Sequence, residues 1–184
     1  SGATDPMVKE CVSSICARLK PKILVLHDVF DGLSVNHHDK SKVILRSMLA
    51  GEGKLSLDQE MQGLADDLLK AASMVEKIVI VKSNHDEFLE RYLEEGRFMA
   101  EPQNTDLGLV LAKVLHDKGD PVREGVAKYW NGTLKDWDKI TWLKRDEDYI
   151  IADIQLGAHG DLGPNGGFPS LATLATTYPK SVTG

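Results

Sequence analysis

The sequence predicts an α/β domain, a layered mixed sheet flanked by helices, and three observations carry that reading. Ile23-Leu24-Val25-Leu26 and Ile78-Val79-Ile80-Val81 are short continuous apolar runs, the pattern of strands covered on both faces. Segments with apolar residues at helical spacing separate them, which is the alternation expected of helices laid on a sheet. The 184 residues, 42% apolar and 27% charged, are enough for one domain, residues 1–184, to bury a sizeable core.

Taken in order, residues 8–19 read as a helix leading to the first strand. Residues 40–49 and 56–75 follow as helices, the second with Leu57, Met61, Leu64, Leu68, Ala71 and Ala72 on one face. After the second strand come helical stretches from Glu87 past Leu93, over 107–115 and over 122–129. Asn131-Gly132 suggests a hairpin in the Trp-rich segment beyond them. The hairpin is why a mixed sheet is expected. Tyr149-Ile150-Ile151-Ala152-Asp153-Ile154 reads as a third strand, and Ser181-Val182-Thr183 as the start of another. Cys11 and Cys16, five apart on a helix and so about 140° around its axis, are expected to be unbridged buried thiols.

Charge and composition exclude several function classes. Twenty-eight acidic against 22 basic residues leave a net charge of −6, which argues against binding nucleic acid by blanket phosphate neutralisation. No apolar stretch approaches the roughly 20 residues that span a bilayer, so no membrane partner is expected. Two unbridged cysteines and no signal-peptide pattern point to the cytoplasm.

Each of the three strand ends carries the same chemistry: His27-Asp28 with Asp31, Asn84-His85-Asp86, and His159 with Asp161. The carboxyl ends of strands line the crevice of an open α/β sheet, so the three loops are expected to converge. Each also has a plainer reading. Ser83-Asn84-His85-Asp86-Glu87 is a helix start with capping and dipole-complementing groups, and the Gly-rich residues 160–167 suit a tight loop.

In this order the motifs resemble those of the calcineurin-like metallophosphoesterases, whose loops read D-x-H, G-D-x-x-D, G-N-H-D or G-N-H-E, a lone H, and G-H-x-H. Asp28-Val29-Phe30-Asp31 is similar to the second motif, Ser83-Asn84-His85-Asp86 to the third, and His159 to the fourth. His27 and Ser83 stand where the family has glycine. No D-x-H precedes Met7 and no G-H-x-H follows His159, so the resemblance implies the middle of such a domain without its first and last metal-binding motifs.

The resemblance implies a four-layer α/β/β/α sandwich and a centre of two divalent ions (Mn²⁺, Mg²⁺, Zn²⁺ or Fe), which activate water for attack on phosphorus. Asp28 would bridge the ions, and Asn84 and His159 would bind one of them. His85 would be catalytic, sitting over the phosphate to stabilise charge or to protonate the leaving oxygen, with Asp86 a candidate to orient its ring. His27, Asp31, His37, His38 and Asn165 would support the site or meet substrate. Trp130, Trp137 and Trp142, with Tyr129, either stack on bases or close a small core. The implied activity is hydrolysis of a phosphodiester or phosphomonoester, with nucleic acid or a nucleotide as candidate substrate and nuclease or phosphatase as the two branches. The alternative is a non-catalytic α/β interaction or nucleotide-binding module, or an inactive truncated piece.

Overall fold

The computed structural model describes residues 6–36 and 41–161, with isolated positions 172, 173 and 176 beyond them. His37, His38, Asn165 and the 181–183 segment lie outside the described residues. The fold is a mixed α/β one, with two small sheets flanked by helices.

Strands β1 (Ile23–His27), β2 (Lys77–Val81) and β3 (Ile140–Trp142) form a parallel sheet in that order. The pairing runs from Ile23 opposite Lys77 to His27 opposite Val81, and from Ile78 opposite Ile140 to Ile80 opposite Trp142. Strand alternation divides the side chains between two faces. Leu24, Leu26, Ile78, Ile80, Ile140 and Trp142 enter the main core, whereas Val25, Val79, Val81 and Leu143 form a smaller cluster with Tyr149. Both faces of β2 are therefore covered, which is why its sequence is continuously apolar.

The helices are α1 (Pro6–Leu19), α2 (Val43–Gly51), α3 (Leu57–Ala72), α4 (Asn84–Glu94), α5 (Thr105–His116), α6 (Pro121–Tyr129) and the single turn α7 (Leu134–Trp137). Local chemistry sets their starts. The Ser56 hydroxyl accepts the Gln59 N–H at α3, and Asp120 accepts the Val122 and Arg123 N–H groups at α6, with Pro121 in the first helical position. α3 buries Leu57, Met61, Leu64, Ala65, Leu68, Ala71 and Ala72, the 3.6-residue stripe of its sequence. α1 forms as expected, yet Cys11 on it is exposed and only Cys16 is buried, so one of the two expected buried thiols faces solvent. No helix among the described residues is long and apolar enough to cross a membrane.

Two expected elements differ. Asn131-Gly132 opens no hairpin; Thr133 caps α7 through a hydrogen bond from the Asp136 N–H, and the chain then enters β3. The Trp-rich segment thus supplies a parallel strand. The expected strand over 149–154 is instead a hairpin of β4 (Ile150–Ile151) and β5 (Ile154–Gln155), because Ala152 and Asp153 both adopt positive φ, 50° and 64°. Two successive left-handed residues match the tight turn of a two-residue hairpin, although neither is the glycine that usually announces one. Trp130, Trp137 and Trp142 pack against the main core, with ring centroids 5.2 and 6.3 Å apart along the series.

A buried amide ties these layers together. The Asn104 side chain accepts the Leu57 N–H at 2.8 Å and donates to the Leu55 carbonyl, the Tyr92 hydroxyl and Glu101. Asn104→Ala removes the side-chain partner of the Leu57 N–H and of the Leu55 carbonyl, while Tyr92 and Glu101 keep each other, and urea denaturation is expected to show a loss on the order of 3 kcal/mol.

Candidate functional site

The site begins where β1 stops. Asp28 follows His27 with φ 51°, a left-handed conformation that costs a non-glycine residue about 1–2 kcal/mol, and Asp tolerates it better than most. The turn beyond Asp28 holds this strain in place. Val29 and Phe30 are buried, Gly32 turns at φ 67°, and Glu60 on α3 accepts the Leu33 N–H, the Ser34 N–H and the Ser34 hydroxyl at 3.1, 3.2 and 2.5 Å. Burial raises the Glu60 pKa even though these three donors pull it down.

The second segment follows β2. Ser83 adopts extended geometry, its N–H donates to Asp86 Oδ2 at 2.7 Å, and α4 starts at Asn84. Asp86 is therefore part of the helix cap. Its other oxygen has no hydrogen-bond partner among the described residues, so neither oxygen reaches the His85 ring and the expected orienting role is not what this geometry provides. Burial pushes the Asp86 carboxyl up to about 7; Asp120 and Asp28 add to that rise, while the Ser83 N–H and Lys82 oppose it.

The third segment, residues 157–161, contains no helix or strand. It is placed by packing. A Cβ on Gly157 would lie 2.0 Å from the Glu147 carbonyl oxygen and 2.7 Å from the Tyr149 nitrogen, so only glycine passes there, and Ala158 and His159 beyond it are buried.

The three segments meet. His159 Nε2 lies 3.2 Å from Asn84 Oδ1 and 3.7 Å from Asp28 Oδ1, and His85 Nδ1 lies 4.0 Å from the same Asp28 oxygen. The His27 and His159 rings stack with centroids 6.2 Å apart. Burial and the neighbouring His159 lower the His27 pKa, outweighing Asp28 and a backbone hydrogen bond at Leu156. Asp28 Oδ1 and the Nδ1 atoms of His27, His85 and His159 are all buried without a hydrogen-bond partner among the described residues. Four such atoms in one crevice are unusual, because buried polar groups are nearly always paired. The Asn84–His159 contact is a hydrogen bond when Nε2 carries a proton, and two lone-pair donors facing one place when it does not.

The structure thus brings together Asp28, Asn84, His85, His159 and His27. Asp31 lines a neighbouring cavity of about 510 Å³ with Ser56, Gln59 and Glu60. Sequence reasoning missed Arg145. It lies just past β3, and its guanidinium donates to Asp161 and approaches Glu87. The signal was the charged run Lys144-Arg145-Asp146-Glu147 at a strand end, hidden because β3 was read as part of a hairpin. Among the described residues, no group of three or more His, Cys, Asp or Glu side chains is arranged to hold a metal ion.

The chain is similar to "Protein A1" of Escherichia phage T5. The two are 28% identical over 190 residues, which cover 90% of this chain and 32% of that protein. The chain thus spans about a third of the length of that curated relative. No family model and no solved structure matches.

Two outcomes are expected from this geometry. Gly157→Ala is expected to lower stability by about 1–3 kcal/mol in urea denaturation and to shift the His159 ring resonances, since the loop must move to admit the methyl group. The Asp86 carboxyl has a folded pKa near 7 against an ordinary value of 3.8, so the folded state holds the proton more tightly. Its contribution to stability is full at the acid end and is lost as pH rises from about 4 to about 7. Asp86→Asn should flatten that slope in denaturation series across this range.

Proposed function

We propose that the crevice at the carboxyl edge of the parallel sheet binds one divalent cation, and that the described residues by themselves act as an α/β binding module rather than as a two-metal hydrolase. The observation that carries this reading is the convergence of three separate segments on His159, whose Nε2 lies 3.2 Å from Asn84 Oδ1 and 3.7 Å from Asp28 Oδ1. A carboxylate, an amide oxygen and an imidazole are donors suited to Mn²⁺, Mg²⁺ or Zn²⁺. Asp28 Oδ1, which accepts no hydrogen bond from the described residues, fits the same purpose.

These donors fit one cation and not two. Asp28 and His159 contribute one acid and one imidazole, Asn84 adds an amide, and among the described residues no third His, Cys, Asp or Glu completes a cluster. Such a set supports no two-metal step.

A second reading, hydrolysis of a phosphoester as part of a metallophosphoesterase domain, is favoured by the position of His85. Its ring sits at the mouth of α4, 4.0 Å from Asp28 and against Phe88, on the same side as the proposed donors. A cation bound there would supply Lewis acidity toward a phosphoryl oxygen. His85 would then hold or deliver a proton at the leaving oxygen, and the lowered pKa of His27 disfavours a competing positive charge beside it. The four-layer sandwich belongs to this reading and is supported by the covered second face of the sheet, where Val79 and Val81 are fully buried. Nucleic acid, a nucleotide or a smaller phosphoester would be the substrate, in keeping with the ordered motifs.

Titration with Mn²⁺ followed by electron paramagnetic resonance separates the readings. The expected result is about one equivalent bound, with affinity falling at least tenfold in Asp28→Ala and in His159→Ala, and no turnover of single-stranded DNA or an aryl phosphodiester. Turnover that His85→Ala abolishes would favour the hydrolase reading, and uptake indifferent to both substitutions would remove the cation site.

A further inference from the structure

Arg145 joins the two segments on which the crevice depends. It follows β3 by three residues, at the same carboxyl edge of the sheet as Asp28 and Asn84. Its side chain is 18% exposed, Nη2 donates to Asp161 Oδ1, and Nε lies 3.7 Å from Glu87 Oε1 and 3.6 Å from Asp146 Oδ2. Asp161 stands two residues beyond His159. Glu87 stands three residues beyond Asn84, in the first turn of α4. One guanidinium thus spans the loop that carries the imidazole and the helix end that carries the amide.

The loop needs such a fastening. Residues 157–161 make no strand or helix ladder, so the backbone alone does not fix where His159 stands. Gly157 packing holds one end of the segment, and the Arg145–Asp161 pair holds the other. Three carboxylates around one guanidinium leave a local surplus of negative charge at this edge of the fold. Arg145 Nε and Nη1 are also buried without a hydrogen-bond partner among the described residues. An arrangement that leaves two guanidinium N–H groups without a hydrogen bond, Nε facing carboxylates only at ion-pair distance, is poor as a device for stability alone, because replacing a largely buried ion pair by apolar groups is often neutral or stabilising.

We propose that Arg145 is the positioning residue of the crevice: by clamping Asp161 against Glu87 it sets the approach of His159 to Asn84 and Asp28. The proposal rests on the cation-site reading only for its effect on metal affinity; its effect on His159 stands apart from it.

The test uses the full chain and four variants, Arg145→Gln, Arg145→Lys, Asp161→Asn and the Arg145→Gln/Asp161→Asn double. ¹⁵N-edited spectra of the histidine rings, without metal, read the His159 environment, with exposed His116 as an internal control. The expected result is that Arg145→Gln and Asp161→Asn each move the His159 ring signals and leave those of His116 in place. The double variant should move them no further than either single variant, and Arg145→Lys should restore less than half of the shift, since an ammonium cannot reproduce the fork. Co²⁺ titration should show a fall in affinity of about tenfold in the two single variants. Unchanged His159 signals, or shifts that simply add in the double variant, would overturn the proposal. If the wild-type chain takes up no Co²⁺, the cation reading fails while the ring spectra still decide the role of Arg145. Should Arg145→Gln not fold, Arg145→Lys and Asp161→Asn carry the same comparison.

Discussion

The flush parallel register of β1 and β2 is the constraint on which the crevice depends. With His27 opposite Val81, the two strands end level, and the residues after them must leave from the same edge of the sheet. Asp28 and Asn84, 56 positions apart in sequence, are brought to the same edge of the sheet by this pairing. A slip of one residue would turn Val79 and Val81 to the opposite face and carry Asn84 away from Asp28. The cost of that slip is large because both faces of β2 are buried, so the hydrophobic interior enforces the geometry of the polar site at its edge.

Around this edge the chain accepts local costs. Asp28 is left-handed without being glycine, Asp86 is buried with one oxygen unpaired, and three histidines keep Nδ1 atoms buried without partners among the described residues. A crevice used only for packing would have apolar residues in these places. Concentrated strain and unsatisfied polarity are characteristic of sites that meet a ligand, because the ligand supplies the missing partners. The surrounding elements supply the rigidity that makes this tolerable: Glu60 grips the turn after Asp28, the Ser83–Asp86 cap fixes α4, and Gly157 lets the His159 loop lie against the backbone at Glu147.

Much of the fold was legible because burial leaves a periodic trace. The continuous runs of β1 and β2 and the stripe of α3 show in the residues themselves. What escaped was set by other forces. β3 is three residues long, too short for any periodicity, and it belongs to the sheet only because β2 offers it a free edge. The β4–β5 turn uses Ala152 and Asp153, residues that do not announce positive φ, so the apolar run looked like one strand. Cys11 is exposed and Cys16 buried because residues about 140° apart on a helix point different ways, and the spacing does not say which of the two sides is covered.

The candidate donors were already set in the order of residues along the chain. Asp28, Asn84, His85 and His159 are recognisable by residue type, by order and by their places after apolar runs. Which of them meet was settled in three dimensions. Asp28, Asn84 and His159 converge because register and close packing bring three distant loops to one edge, while Asp86, in the first turn of α4, turns back to accept the Ser83 N–H as part of the helix cap. Arg145 belongs to the same outcome, since a charge that acts by joining two segments has no signature until both segments are in place.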